Sequence, residues 1–177
     1  LAAIVDGELV DLSRPIDRDV GIRLITERDP EALPLLRHSA AHLLATAVRA
    51  IRPDAEIGFG PAIEDGFYYD FGVDQPFTPE DLVAFEAAMA EAVAADHPFT
   101  RERVTKVGAR DLFQDDPLKL ERLEELREDE VITVYRDGPF MDLCRGPHVP
   151  STGRIRHFKL LSAAGAYWRG DETRQML

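Results

Sequence analysis

A proline-bracketed apolar segment constrains this chain most. Asp29-Pro30-Glu31 offers a cap, a first-turn proline and a first-turn acid, with Pro34 blurring the start, and Pro53 disfavours helical geometry just before it. A helix is therefore expected from between Asp29 and Pro34 to about Arg52. At ~100° per residue, Leu36, Ala40, Leu43, Leu44, Ala47 and Ile51 share a stripe roughly 100° wide. His38 and His42 fall nearly opposite it, beside Ala45 and Arg49, a combination that suits the wall of a cleft better than a core contact.

Two imidazoles one helical turn apart, about 5–6 Å between Cβ atoms, can serve one metal ion or one proton-transfer site. Cys144-Arg145-Gly146-Pro147-His148 repeats the spacing of four with the only cysteine, in a stretch whose Gly-Pro pair excludes a helix but permits a turn. Three histidines and a cysteine would make a tetrahedral zinc site, hydrolytic if water replaced one ligand. The residues alone leave that site and a metal-free acid-base cluster equally open. Asp142, two residues before Cys144, shares its face if the strand persists, and a carboxylate there could hold an ammonium or orient an imidazole; the plain alternative is a turn-side acid. By the same reasoning Tyr69 reads as a packed aromatic, and Lys119, in a charged helix, as solvated.

Around these motifs the sequence reads as an α+β chain with an antiparallel sheet. Ile4 to Val10 forms two short strands about Asp6-Gly7, and residues 1–28 are too few to close a core, so they belong to a truncated module or pack on the adjoining domain. Ile57–Ile63 and Phe67–Phe71 form a hairpin about Asp65-Gly66, with Phe67, Tyr69 and Phe71 on one face. Thr78-Pro79-Glu80-Asp81 opens a second helix running to about Asp96. Phe99–Val107 is strand-like, Asp116-Pro117 begins a helix through Glu128, and Val131–Tyr135 turns at Asp137-Gly138 into Phe140–Leu143; Ile155–Leu161 and Ala163–Trp168 are expected to finish the sheet.

Composition narrows the function classes. A net charge of -12 removes the general attraction to phosphate that drives nucleic-acid binding, so an RNA substrate would need other surfaces to deliver it. One cysteine excludes an internal disulfide, and no apolar run approaches the ~20 residues of a membrane span; a cytoplasmic location and no membrane partner are expected. The start at Leu1 and the stop at Leu177 just after a dense motif suggest a piece of a longer protein.

Four ordered motifs carry a resemblance. R-H-S-A-A-H-L-L (Arg37–Leu44), G-P-A-I-E-D-G-F-Y-Y-D (Gly60–Asp70), M-D-L-C-R-G-P-H-V-P (Met141–Pro150) and H-F-K-L-L-S-A-A-G-A-Y-W-R-G-D (His157–Asp171) together resemble the amino-terminal editing region of bacterial-type threonyl-tRNA synthetases. The resemblance covers residues 29–177 as a tRNA-editing domain built on a long central helix; residues 1–28 resemble the end of the ubiquitin-like (β-grasp) TGS module that precedes it. It implies hydrolysis of the ester of Ser-tRNA(Thr) by water, with threonine excluded sterically. The partners would be the serine-bearing tRNA 3′ end and the remaining synthetase domains, which bind ATP. Such a second site makes physical sense, since one missing methyl group is worth only about 1–3 kcal/mol to a binding pocket.

By the same resemblance His38 would activate water with Lys119, and Asp142 would hold the seryl group. His42 would stand beside His38, Cys144 and His148 would line the acyl pocket, and Tyr69 its adenosine or acyl end. No cofactor is expected for this reaction. Two alternatives stand beside it: a zinc-dependent hydrolase of the alanyl-tRNA editing type, with His38, His42, Cys144 and His148 as ligands, and a non-catalytic tRNA-positioning module.

Overall fold

The computed structural model describes residues 1–177. The expected Asp6-Gly7 turn joins β1 (Ala2–Val5) to β2 (Glu8–Val10), both turn residues having positive φ. The other edge of β1 takes β3 (Ile22–Ile25), giving the antiparallel order β2-β1-β3. Ala2 and Ile25 belong to the main hydrophobic core, and Leu1, Ile4 and Leu9 pack against it. The first 28 residues thus share a core with the rest of the chain.

Helix α1 (Ala32–Ile51) starts after Glu31, and Asp29 is not its cap. The Asp29 carboxylate is instead taken by Thr26, accepting from its backbone N–H and its hydroxyl at 2.7 Å each, which closes the turn before the helix. The helix ends as expected at Arg52, whose N–H reaches the Val48 carbonyl. Every residue from Ser39 to Val48 is buried, so the helix is packed on nearly all sides, and His38 and His42 line a cavity rather than open solvent. His42, 2% exposed, meets Phe99 and Phe140 edge-on, and Arg49 pairs with Asp116 at 2.5 Å. A single-stripe reading could not anticipate a helix enclosed between layers.

The hairpin after α1 is built in two pieces. β5 (Ala62–Ile63) and β6 (Gly66–Phe67) pair at its tip, β4 (Glu56–Ile57) and β7 (Phe71–Gly72) at its base. Between them the Gly58 N–H donates to the Asp70 carbonyl and the Asp70 N–H to that of Phe59, both at 2.9 Å. Tyr69 and Phe71 are buried and stacked on the inward face.

Helix α2 (Pro79–Ala95) carries the full reciprocal cap: Thr78 Oγ1 accepts from the Asp81 N–H, and the Asp81 carboxylate from the Thr78 N–H. β8 (Phe99–Val104) stops three residues before the expected Val107, because the Thr105 hydroxyl caps an additional helix, α3 (Lys106–Leu112). Helix α4 (Pro117–Glu125) comes next, ending before Glu128, then β9 (Ile132–Asp137) and β10 (Phe140–Leu143) about the Asp137-Gly138 turn. The sheet order is β10-β9-β8, antiparallel throughout, with Asp142 opposite Tyr135. Ala109, Phe113, Leu123, Ile132 and Val134 form a second cluster between α3, α4 and this sheet.

Ile155–Leu161 and Ala163–Trp168 do not finish the sheet. After a 3-10 turn at Thr152–Arg154 this stretch forms no regular element, and only near Trp168 does the backbone pair, with Gln175 and Leu177 of the same tail. Leu161 is 86% exposed, and side chains anchor the segment instead: Glu86 accepts from the Leu160 N–H at 2.6 Å, and Glu121 from the Trp168 indole at 3.1 Å. Strand-like composition alone does not make a strand: here side-chain anchors take the place of ladder bonds. The whole is α+β as expected, with several small antiparallel sheets around α1.

Candidate active site

The two pairs of residues four apart meet. One ligand atom from each of His38, His42, Cys144 and His148 lies within 4.8 Å of every other. His38 Nε2 is 3.2 Å from Cys144 Sγ, which is 3.5 Å from His148 Nε2, and the His38 and His148 rings stack at 4.4 Å. Ser39, next to His38 on α1, contacts His148 Nδ1 at 3.1 Å and accepts from the Val149 N–H at 3.1 Å. Helix α1 therefore positions the outer motif as well as its own histidines.

A buried charged group adjoins this cluster. Lys119, reached from α4, is only 1% exposed, contrary to the solvated position its composition suggests. Its Nζ lies 2.5 Å from Asp142 Oδ1 and donates to the Gly58 carbonyl at 2.6 Å and the Tyr69 hydroxyl at 3.2 Å. Tyr69 in turn donates to Asp142 Oδ2 at 2.5 Å, and His42 Nε2 is 3.5 Å from the same oxygen. Lys119 shares a helix face with Leu123, four residues on and fully buried, which is the pattern that betrays its inward direction. Gly60 lies so close to the Tyr69 ring that any Cβ there would overlap it.

Burial governs the protonation states. It drives His42 down to about 3 and holds His38 and His148 below their ordinary 6.5, the last two lacking enough nearby negative charge to compensate. Burial, reinforced by Asp142, pushes the Cys144 thiol up to about 12. For Asp142 burial opposes ionisation, but Lys119 and then His42 outweigh it and hold the carboxyl below its ordinary value. Neutral imidazoles and a neutral thiol thus face an ionised carboxylate, and the His42 Nδ1 is buried without a hydrogen-bond partner.

These groups form the floor of a cavity of about 590 Å³. His38, His42, Asp142 and Cys144 reach its surface, and Phe59 and Trp168, stacked at 5.6 Å, stand in its wall. Tyr69, Lys119 and His148 sit one layer behind. All seven residues singled out in the sequence are therefore in one place. Ser39, Phe59 and Trp168 were not singled out; Ser39 and Trp168 lie inside the conspicuous motifs, while Phe59 precedes one by a single residue.

Known proteins resemble the chain along its whole length. Residues 132–177 match the threonyl and alanyl tRNA synthetase second additional domain. The entire chain is 53% identical over 179 residues to the threonine-tRNA ligase of Pelobacter propionicus, 51% to that of Laribacter hongkongensis and 49% over 177 residues to that of Staphylococcus epidermidis. Along its whole length the chain is similar to one part of the threonyl-tRNA synthetases. It spans 27–28% of the length of these relatives, and the match places it in the editing-related part of threonyl-tRNA synthetases. No helix is long and apolar enough to cross a membrane.

Proposed function

We propose that this chain is the proofreading region of a threonyl-tRNA synthetase and hydrolyses the ester linking serine to tRNA(Thr). The observation that carries the reading is the juxtaposition, on one cavity floor, of an ionised Asp142 and a neutral His38. A carboxylate can hold the seryl ammonium, and an imidazole kept neutral by burial can accept a proton from water as it attacks the ester carbonyl. An incoming ammonium would share Asp142 with Lys119, whose charge, one layer behind the cavity surface, adds to the field that favours the developing oxyanion, with Tyr69 remaining as a support. His42 and His148, both neutral, pack beneath His38 and limit its movement. Threonine would be excluded because its extra methyl group overlaps the packed floor.

In this reading residues 29–177 are the editing domain and residues 1–28 the end of a TGS-like module. The tRNA 3′ end enters the cavity, and the other synthetase domains deliver it. The test is titration of the chain, by calorimetry and NMR, with non-hydrolysable seryl-3′-aminoadenosine and its threonyl counterpart. Binding of the seryl compound alone, with shifts at His38 and Asp142, is expected; equal binding of both would overturn the steric sieve.

The donor set also fits zinc. The 3.2 and 3.5 Å separations approach the ~3.3–3.8 Å edges of a tetrahedral site, and Ser39 touches the second nitrogen of His148 as an outer-shell group would. His38, His42, Cys144 and His148 would hold the ion, which would supply Lewis acidity to bound water. Cys144 would then have to surrender its proton, which burial resists. Stoichiometric zinc in the purified chain, with deacylation lost on chelation, would favour this reading; full activity without zinc would remove it.

A further inference from the structure

The loop that carries Cys144 and His148 is fastened by a residue from the far end of the chain. Asp11, which directly follows β2, is 9% exposed, and its carboxylate points into the protein. One oxygen accepts from the His148 backbone N–H at 2.9 Å, and the other from the Tyr135 hydroxyl at 2.6 Å. Tyr135 lies on β9, opposite Asp142, and is 1% exposed; burial and the Asp11 carboxylate push its phenol up, so it remains a donor. Against the same hydroxyl lies Gly146, at positive φ, where a Cβ would overlap the phenol oxygen. On the other side Ser39 accepts from the next N–H, that of Val149. Consecutive N–H groups of the loop are thus held by side-chain oxygens from two elements, Asp11 after β2 and Ser39 on α1.

We propose that Asp11 is a positioning residue of the active site and that the amino-terminal sheet is a working part of that site. Two bonds to one buried carboxylate fix the height of the His148 backbone relative to β9, and through it the Cys144 sulfur that faces His38. Charge-assisted bonds of this kind are about twice as strong as neutral ones. The carboxylate directly follows a strand whose last residue is fixed, since Val10 is buried and paired with Ala3. Asp11 does not touch the cavity, so it acts through the loop it holds. Its effect on turnover rests on the deacylase reading; the clamp itself does not.

The experiment compares Asp11→Ala and Asp11→Asn with the unaltered chain by three readouts: hydrogen exchange of the His148 amide, the rate of Cys144 alkylation by iodoacetamide, and kcat and KM for deacylation of seryl-tRNA(Thr). Asp11→Ala should lose at least about tenfold of the His148 protection and change the Cys144 rate severalfold. It should also lower kcat by about ten- to a hundredfold, as expected for a sub-ångström to 1 Å displacement, with KM little altered. Asp11→Asn keeps an acceptor for the His148 N–H and should restore most of each. Unchanged exchange and alkylation in Asp11→Ala, or an Asp11→Asn variant no better than alanine, would overturn the clamp. If the alanine variant fails to fold, Asp11→Asn and Tyr135→Phe decide: both keep the acceptor for the His148 N–H, so most of the His148 protection should remain in each, and its loss in either would overturn the clamp. If the unaltered chain does not deacylate, exchange and alkylation still test the clamp while the deacylase reading fails separately.

Discussion

Asp137 offers a quantitative test of how this interior treats charge. It is 1% exposed at the end of β9, burial pushes its carboxyl up from 3.8 to about 8, and Oδ1 has no hydrogen-bond partner. Oδ2 lies 2.7 Å from the Thr46 hydroxyl, which is also 3.0 Å from the His42 carbonyl. One hydroxyl proton cannot serve two acceptors, and a neutral Asp137 resolves this by donating to Thr46, which then donates to His42. From about pH 4 to pH 8 the unfolded chain therefore releases a proton that the folded chain retains, so this group makes stability fall as pH rises. At ~1.4 kcal/mol per pH unit the loss reaches about 4 kcal/mol at pH 7 and about 5 to 6 kcal/mol above pH 8. Asp137→Asn mimics the neutral acid, since its amide can donate to Thr46 in the same place. Urea unfolding at intervals from pH 4 to pH 8 should show the two proteins nearly equal at pH 4 and the asparagine variant progressively more stable above it. A difference that does not vary with pH would refute the reasoning.

Three further outcomes are expected from the contacts. Lys119→Met should abolish deacylation and destabilise the chain by about 3–5 kcal/mol by stranding the Asp142 charge; adding Asp142→Asn should recover most of the stability in denaturant melts but none of the activity. Cys144→Ala should lower turnover by less than about 100-fold in single-turnover assays, because loss of a covalent nucleophile costs ~10⁶-fold; complete loss, with a thioester trapped in the unaltered protein, would show a nucleophile instead. Thr78→Ala should lower stability by about 1 kcal/mol through loss of the α2 cap, with deacylation unchanged.

What could be read from the sequence was what local chemistry encodes. The Thr78 cap, the Asp6-Gly7, Asp65-Gly66 and Asp137-Gly138 turns and the stop before Pro53 all lie where turn and cap preferences put them. The site residues were legible because they sit inside dense motifs resembling a known family. What escaped depends on distant partners. The sequence shows Lys119 among charges, and only the return of β10 beneath α4 gives it Asp142. The tail after Ile155 has strand-like composition but is held by side chains from α2 and α4, and nothing near Asp11 signals a partner 137 residues away.

The break in the hairpin that spans β4 to β7 has a consequence for chain length. Because regular pairing lapses between β4 and β5, the Gly58 carbonyl turns aside from the ladder and receives the Lys119 ammonium. The same four-residue interval sets Phe59 against that lysine, 4.5 Å from Nζ to the ring centre. The interval works as a ruler: one inserted residue would both withdraw an acceptor from a buried cation and reverse the faces of the residues beyond it. Tolerance to insertion should therefore end abruptly at Gly58 and resume only in the Asp65-Gly66 tip, although the sequence reads the first segment as part of an unbroken strand.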